Sequence, residues 1–415
     1  MHKKRIAILG IGEEGLDTLE FLKKNIDWEK LGVADHLTLS EMKENVKQRI
    51  QDERIELHLG EDHLQELNDY EVIIKAPGVP LHNIKKGKDQ VITSQSDIFL
   101  KNCKGTVVGI TGTKGKSTTS LLIADLLKRS GLSTQLVGNI GRPALSELGN
   151  ETENDFFVYE LSSFQLATVT KSPHIAVMLN IFKDHLDKHK DFEDYVSSKE
   201  RITRFQDERD VLIYNEKDPI IKERVENSPA KKLGFSPSSK KEGVPVPVDP
   251  VIKVAEVFRI EKRILEEVFS QFKGLPHRLE YVGEREDIYF YNDSAATIPE
   301  ATLHAIKSLR DIGTIVIGGS DKGADTEELI HKIGESEIEN IVILGGSPSS
   351  LKEALEKKGR KVYLARDMKE VVKISLSVTE KGKKCLLSPG FASFNMFRSY
   401  KERGDLFKKE ISDLQ

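Results

Sequence analysis

The segment Gly112-Thr113-Lys114-Gly115-Lys116-Ser117-Thr118 has the composition of an anion cradle. Glycines let a backbone fold closely around a phosphate, where bulky side chains would block the approach. The helix expected to begin here presents unpaired N–H groups and the positive end of its dipole. Lys116 adds a point charge for terminal phosphates, and Ser117 a hydroxyl for Mg²⁺. The spacing departs from the strict G-x4-G-K-[ST] pattern, because Ile110 stands where its first glycine would be. The Gly-Lys-Ser core after an apolar run still points to nucleotide phosphates, the alternative being an ordinary glycine turn before a helix. Alone, the loop suits a kinase as well as a ligase.

A second glycine pattern, Gly10-Ile11-Gly12-Glu13-Glu14-Gly15, also follows an apolar run. Asp35 comes twenty residues after Gly15, the separation at which an acid can bind a ribose hydroxyl. Glu13 and Glu14 stand where a phosphate would approach, which is electrostatically awkward. A nucleotide-type ligand and a plain strand-to-helix turn are both open readings of this pattern.

These loops need elements to hold them. Apolar runs at Ile6–Leu9, Val72–Ile74, Val107–Ile110, Phe156–Tyr159, Ala176–Leu179 and Val211–Tyr214 read as buried strands. So do Ile288–Tyr291, Thr314–Ile317, Asn340–Leu344, Lys361–Leu364 and Lys384–Leu387. Helix-period segments, such as Thr118–Arg129, Ile298–Arg310 and Thr326–Ile333, lie between many of them. The alternation predicts an α/β fold with mainly parallel sheets. Breaks near Leu100–Gly105 and Lys273–Pro276 suggest three domains, over residues 1–102, 103–275 and 276–415. The polar, proline-containing stretch from Ser236 to Pro250 reads as a surface excursion.

At 415 residues the chain is long enough for several cores. Its net charge of -4 gives no global basic field for nucleic acid or a membrane surface, so any anion must be held by local groups. Cys103 and Cys385 have no metal-like spacing and read as reduced, structural thiols. The apolar run after Met1-His2-Lys3-Lys4-Arg5 is too short for a signal peptide or a membrane span, so a cytoplasmic protein is expected.

The chain resembles the Mur ligase family along nearly its whole length. The likeness rests on Lys75-Ala76-Pro77-Gly78-Val79, Gly109–Thr119, Gly138-Asn139-Ile140-Gly141, Glu160-Leu161-Ser162-Ser163-Phe164-Gln165-Leu166 and Asp184-His185-Leu186-Asp187. It continues through Lys199, Gly274-Leu275-Pro276-His277-Arg278, Asn292-Asp293-Ser294, Lys322-Gly323-Ala324-Asp325, and Ser388-Pro389 leading to Arg403-Gly404-Asp405. Within the family it is most similar to the branch that adds glutamate to UDP-N-acetylmuramoyl-L-alanine. The resemblance implies a Rossmann-like N-terminal domain for the UDP substrate, a central P-loop ATPase-like domain, and a C-terminal Rossmann-like α/β domain for glutamate. It implies ATP and Mg²⁺ at two sites, an acyl-phosphate intermediate and a monomer. Lys116, Glu160, His185 and Lys199 would be catalytic, with Ser117, Glu160, His185 and a carbamylated Lys199 holding metal. Gly112 to Thr118, with Arg278 and Asp293, would bind ATP. Gly12, Gly15, Asp35, Pro77, Gly78 and Asn139 would contact the UDP substrate. Thr297, Lys322, Ser393, Phe394 and Tyr400 would surround glutamate.

Each role has a plainer counterpart. Glu160 could be a solvated strand-end acid, Lys199 an exposed helical lysine, and His185 with His189 a surface pair on a helix. Asp293 could cap the helix near Pro299, and Phe394 and Tyr400 could be core aromatics. The chain also departs from the family pattern. Glu13 and Glu14 replace small hydroxyl residues, and Ala34-Asp35-His36-Leu37 lacks the usual uracil-contacting threonine and arginine. Ala295 stands where many members have lysine, and Pro250–Val257 lacks the asparagine that contacts adenine. An L-glutamate-adding sister enzyme, a folylpolyglutamate-type ligase and a homologue that has lost catalysis are therefore the alternatives.

Overall fold

The computed structural model describes residues 3–186, 188–239, 246–272, 274–320, 326–345, 349–393 and 396–414. It contains three sheets. The first has the order Ile55–Leu59, Trp28–Asp35, Lys4–Leu9, Val72–Lys75, Val91–Ser94, all parallel. The chain leaves Lys4–Leu9 first to one side and later to the other. The loops after Lys4–Leu9 and Val72–Lys75 therefore flank a topological switch point, where open α/β sheets bind ligands.

The second sheet runs Lys231–Phe235, Val211–Asn215, Ile175–Met178, Thr106–Thr111, Phe156–Glu160, Thr134–Gly138, again all parallel. Its residues alternate between two cores. Val107, Phe157, Tyr159, Ala176 and Met178 pack on one face, and Val108, Ile110, Val158, Ile175 and Val177 on the other. Burial on both faces explains why these strands read as continuous apolar runs. The helix Lys116–Arg129 covers the second face with Leu122, Ile123, Leu126 and Leu127, all at most 1% exposed. Each such side chain contributes roughly 1.5–3 kcal/mol by leaving water, so the helix start is firmly fixed.

The third sheet has the order Glu280–Arg285, Ile288–Asn292, Lys384–Leu387, Ile312–Ile317, Asn340–Leu344, Lys361–Ala365. It is parallel except for its first strand, which forms an antiparallel hairpin with the second. Glu286 and Asp287 turn that hairpin with φ of 52° and 65°, the left-handed geometry that matches strand twist.

All eleven expected strands are present, within a residue or two at their ends. The three expected helices are also found, at Lys116–Arg129, Pro299–Ser308 and Glu327–Glu335. Contacts divide the chain into two compact units, Met1–Phe272 with the first two sheets and Lys273–Gln415 with the third. The stretch Pro250–Val257 lies in the helix Asp249–Phe258, which buries Val251, Val254 and Ala255 in the second core.

Candidate active site

The strand Thr106–Thr111 delivers the phosphate loop, and sheet register delivers its neighbours. Ile110 pairs with Glu160 on one side and Val177 on the other. Glu160 thus ends its strand beside the loop, and the chain leaving Ile175–Met178 passes the loop's other edge. Gly112 has φ 158° and Gly115 φ 87°, both in glycine-favoured space. A Cβ on Gly112 would lie 2.9 Å from the Leu179 Cβ. Gly115 precedes the helix Lys116–Arg129 and offers no side-chain cap to its first amides, which leaves the helix N-terminus free for an anion.

The loop is clamped from both sides. Thr113 N–H donates to the Asn180 carbonyl at 2.8 Å, and Lys114 N–H to the Asn180 side-chain oxygen at 2.9 Å. Thr113 Oγ1 lies 2.9 Å from the Tyr195 hydroxyl. Lys116 Nζ folds back onto the carbonyls of Gly112 and Thr113 at 2.9 and 3.0 Å. Ser117 is half-buried and Thr118 buried.

Lys199 Nζ donates to the same Gly112 carbonyl, also at 2.9 Å, and lies 4.8 Å from the Tyr195 ring centre. Its side chain is 2% exposed. Burial, then the neighbouring Lys116 charge, push its pKa well below the ordinary lysine value, against the pull of Asp184 and Glu160. It is not an exposed helical lysine. Glu160 is fully buried, which excludes the solvated-acid reading. Its Oε1 accepts from Asn139 Nδ2 at 2.7 Å. Its Oε2 is buried and, among the described residues, has no hydrogen-bond partner. An orphaned carboxylate oxygen beside a phosphate loop is chemically suited to a hard cation.

His185 is exposed, with φ 54°, and its ring lies edge-on to Phe164 at 5.3 Å. It is not on a helix. His189 is buried, and its two nitrogens lie 2.8 Å from Asp194 and 2.9 Å from Ser163 Oγ. It braces the turn after Glu160. No three His, Cys, Asp or Glu side chains form a ready metal cluster among the described residues. A divalent ion here would therefore draw on Glu160, a hydroxyl and ligand oxygens, which is the usual manner of Mg²⁺.

In the first sheet, both Asp35 oxygens serve the protein itself. Oδ2 accepts from Ile11 N–H at 2.8 Å and Oδ1 from Leu37 N–H at 2.9 Å. Gly12 caps the helix Glu13–Asn25, and a Cβ on Gly15 would fall 2.1 Å from the Gly10 carbonyl oxygen. Pro77 and Gly78 turn the chain after Val72–Lys75, beside the glycine loop. Glu14 avoids the awkward position that its place in the sequence suggests. It is half-buried, and Oε1 accepts from Gln165 Nε2 at 2.6 Å. Desolvation raises its pKa to about 7, against Gln165 and Lys75.

In the other unit, Asp293 is buried, with Oδ1 accepting from Leu279 N–H at 3.1 Å and Oδ2 from Ser388 Oγ at 2.7 Å. It does not cap the helix at Pro299, whose N-cap is Ile298. Arg278 is exposed nearby and helps hold the Asp293 carboxyl down, although burial dominates and lifts its pKa to about 6. Thr297 is half-buried before the same helix, Ser393 is buried, and Tyr400 begins the last helix with its ring edge-on to His277. Lys322 and Phe394 lie outside the described residues.

Two contributors carried no role in the sequence reading. Arg403 is fully buried and donates to Ser294 Oγ, the Ser294 carbonyl and the Phe391 carbonyl at 2.8–3.1 Å. It ties the segment after Asn292 to the segment after Leu387. Its signal is Arg403 standing on the buried face of the last helix with Gly404, Phe407 and Ile411. Tyr195 and Lys199 have a comparable signal, lying one helical turn apart on the buried stripe that also carries Ile202.

Comparison with known proteins agrees with this arrangement. Residues 110–274 match the Mur ligase middle domain, and residues 277–391 match the glutamate ligase domain of Mur ligases. The chain is 31% identical to a UDP-N-acetylmuramoylalanine–D-glutamate ligase of Clostridium kluyveri, covering 99% of this chain and 97% of that one. It is 32% identical to the ligase of the same name from Caldanaerobacter subterraneus, covering 100% and 99%. Among solved structures, UDP-N-acetylmuramate-alanine ligase of Thermotoga maritima shares the fold with a TM-score of 0.57 at 16% identity, over 99% of this chain and 100% of that one. The MurF ligase of the same organism, in complex with ADP, has a TM-score of 0.52 at 17% identity, over 99% and 96%. With two domain models spanning most of the chain and relatives above 30% identity along its full length, the chain belongs to the Mur ligase family, whose members are ATP-dependent amide-bond-forming ligases.

Proposed function

We propose that this chain joins D-glutamate to UDP-N-acetylmuramoyl-L-alanine, with ATP, in peptidoglycan precursor synthesis. The chemistry is supported above all by one juxtaposition, the phosphate loop beside the buried Glu160 carboxylate and the buried Lys199 amine. The choice of substrates is supported by the names of full-length relatives. Residues 1–102 would hold the UDP substrate, through the loops at Gly12, Gly15, Asp35, Pro77 and Gly78. Residues 103–275 would hold ATP on Gly112 to Thr118, and residues 276–415 would hold glutamate near Thr297, Lys322, Ser393, Phe394 and Tyr400.

The acceptor carboxylate attacks the γ-phosphorus, the bond to the β-phosphate oxygen breaks, and ADP leaves. The glutamate amine then attacks the acyl carbon, loses a proton and displaces phosphate. Lys116 and the uncapped helix N-terminus neutralise charge that develops on the phosphates. Mg²⁺ would supply Lewis-acid stabilisation of the transferring phosphoryl group. Ser117 and Glu160 suit one such ion, and His185 with Lys199 a second. The lowered pKa favours the neutral amine of Lys199, the form that would add to CO2 and release a proton to give an anionic carbamate ligand. Asn139 keeps Glu160 oriented through its 2.7 Å hydrogen bond. Arg278 and Asp293 would approach the nucleotide in the reacting state.

No helix among the described residues is long and apolar enough to cross a membrane. The test is phosphate and ADP release with each glutamate enantiomer. Turnover should require ATP, the muramoyl nucleotide and D-glutamate together. Equal turnover with L-glutamate, or turnover without an amino acid, refutes the assignment. Lys116→Ala should abolish turnover and leave the fold intact.

A further inference from the structure

Lys75 ends the strand Val72–Lys75 and is 2% exposed. An ammonium has three donors, and a buried one is costly unless they are met. Among the described residues Lys75 makes one hydrogen bond, a long 3.4 Å contact to the Phe164 carbonyl, and no ion pair within 4.0 Å. Its nearest carboxylate influence is Glu14, which is already committed to Gln165. Burial lowers the Lys75 pKa only to about 8, so the group is mainly cationic at neutral pH.

Lys75 also lines a cavity of about 300 Å³ between the turn after its own strand and the segment around the helix Phe192–Arg204. Lys188, Lys190 and Arg201 share that lining, against one carboxylate, Asp194. Asp194 is engaged by His189 and by the Lys190 N–H. The Phe164 ring supplies an apolar wall, with Lys188 Nζ 5.9 Å from its centre. Four cationic side chains facing one occupied acid make a site for negative charge, with the under-bonded ammonium as its buried anchor.

We infer that Lys75 binds an anionic oxygen group, phosphate or carboxylate, of the acceptor nucleotide in this cavity. The identity of that nucleotide rests on the function proposed above, whereas the need for an anion rests on the cavity alone.

The experiment is calorimetric titration of the full-length protein and its Lys75→Met variant with UDP, with UDP-N-acetylmuramoyl-L-alanine and with ADP. Loss of one charge-assisted hydrogen bond should weaken acceptor binding roughly ten- to a hundredfold, with ADP binding unchanged as the control for folding. An equal loss for UDP identifies the diphosphate as the bound group, and unchanged UDP binding identifies the carboxylate of the muramoyl-alanine. Acceptor binding within twofold of wild type overturns the inference. Should Lys75→Met fail to fold, Glu14→Gln decides, because it keeps an acceptor for Gln165 and removes the competing charge. It should tighten acceptor binding severalfold, and unchanged or weaker binding again refutes the inference. A wild type that binds the acceptor without turnover counts against the ligase reading and not against Lys75.

Discussion

Replacing Lys199 with methionine should separate stability from activity. Lys199 and Lys116 both lie 2.9 Å from the Gly112 carbonyl oxygen, so their amines are no more than about 6 Å apart. At an effective dielectric of about 20, two unit charges at that distance repel by about 3 kcal/mol. Desolvation acts in the same direction, so both effects favour the neutral amine of Lys199, against the pull of Asp184 and Glu160. Methionine then forfeits one neutral hydrogen bond, about 1 kcal/mol, and regains a similar amount by placing an apolar chain of nearly equal length in a dry site. Urea unfolding should therefore shift by no more than about 1 kcal/mol. Phosphate release, measured with saturating substrates, should fall roughly 10²- to 10³-fold, the usual loss when one preorganised group of this kind is removed. A variant destabilised by more than about 3 kcal/mol that keeps a tenth of its activity would refute both the charge assignment and the catalytic one.

Other consequences are equally open to measurement. Asp293 has its pKa raised from 3.8 to about 6, so the folded state binds more protons than the unfolded chain between those values. The contribution of Asp293 to stability should be fully present below about pH 4 and decline by at most about 3 kcal/mol as pH rises through about 6; the difference between wild type and Asp293→Asn should show that dependence. Gly15→Ala places a methyl group against the Gly10 carbonyl, and should lower stability by roughly 1–3 kcal/mol in urea and weaken UDP binding. Asn139→Ala removes the partner of Glu160 Oε1, and in a Mg²⁺ titration of phosphate release the half-saturating concentration should rise roughly ten- to a hundredfold.

Most strands legible in the sequence are interior to their sheets, and the exception is the edge strand Lys361–Ala365, whose apolar run is visible although Leu364 is 59% exposed. Six strands escaped, and five of them are sheet edges: Ile55–Leu59, Val91–Ser94, Thr134–Gly138, Lys231–Phe235 and Glu280–Arg285. An edge strand is covered on fewer sides and tolerates Glu56, His58 or Lys232, so its pattern dissolves into that of a loop. The sixth, Trp28–Asp35, is interior but begins with Trp28, Glu29 and Lys30, which are exposed or half-buried. The site shows the same divide. The phosphate loop announces itself through glycines, because its chemistry is local. The burial of Glu160 and Lys199 depends on neighbouring strands and the helix Phe192–Arg204 packing around the phosphate loop, which no short window contains. Asp35 has a structural role that its spacing alone does not reveal. Its spacing suits a ribose contact, yet its carboxylate holds Ile11 and Leu37, the ends of two loops.

The centre of the second sheet is electrostatically incomplete by itself. Two amines converge on the Gly112 carbonyl, the following helix start has no side-chain cap, and Glu160 Oε2 has no hydrogen-bond partner among the described residues. The repulsion between Lys116 and Lys199 is opposed at Lys199 by the pull of Asp184 and Glu160, and the orphaned Glu160 oxygen is unfavourable for folding. A nucleotide triphosphate meets the first two demands with its oxygens, and a divalent ion travelling with it meets the third. The strain in charge is thus the complement of the ligand, which is why substitutions that relieve it, Lys199→Met first among them, should spare the fold and remove the reaction.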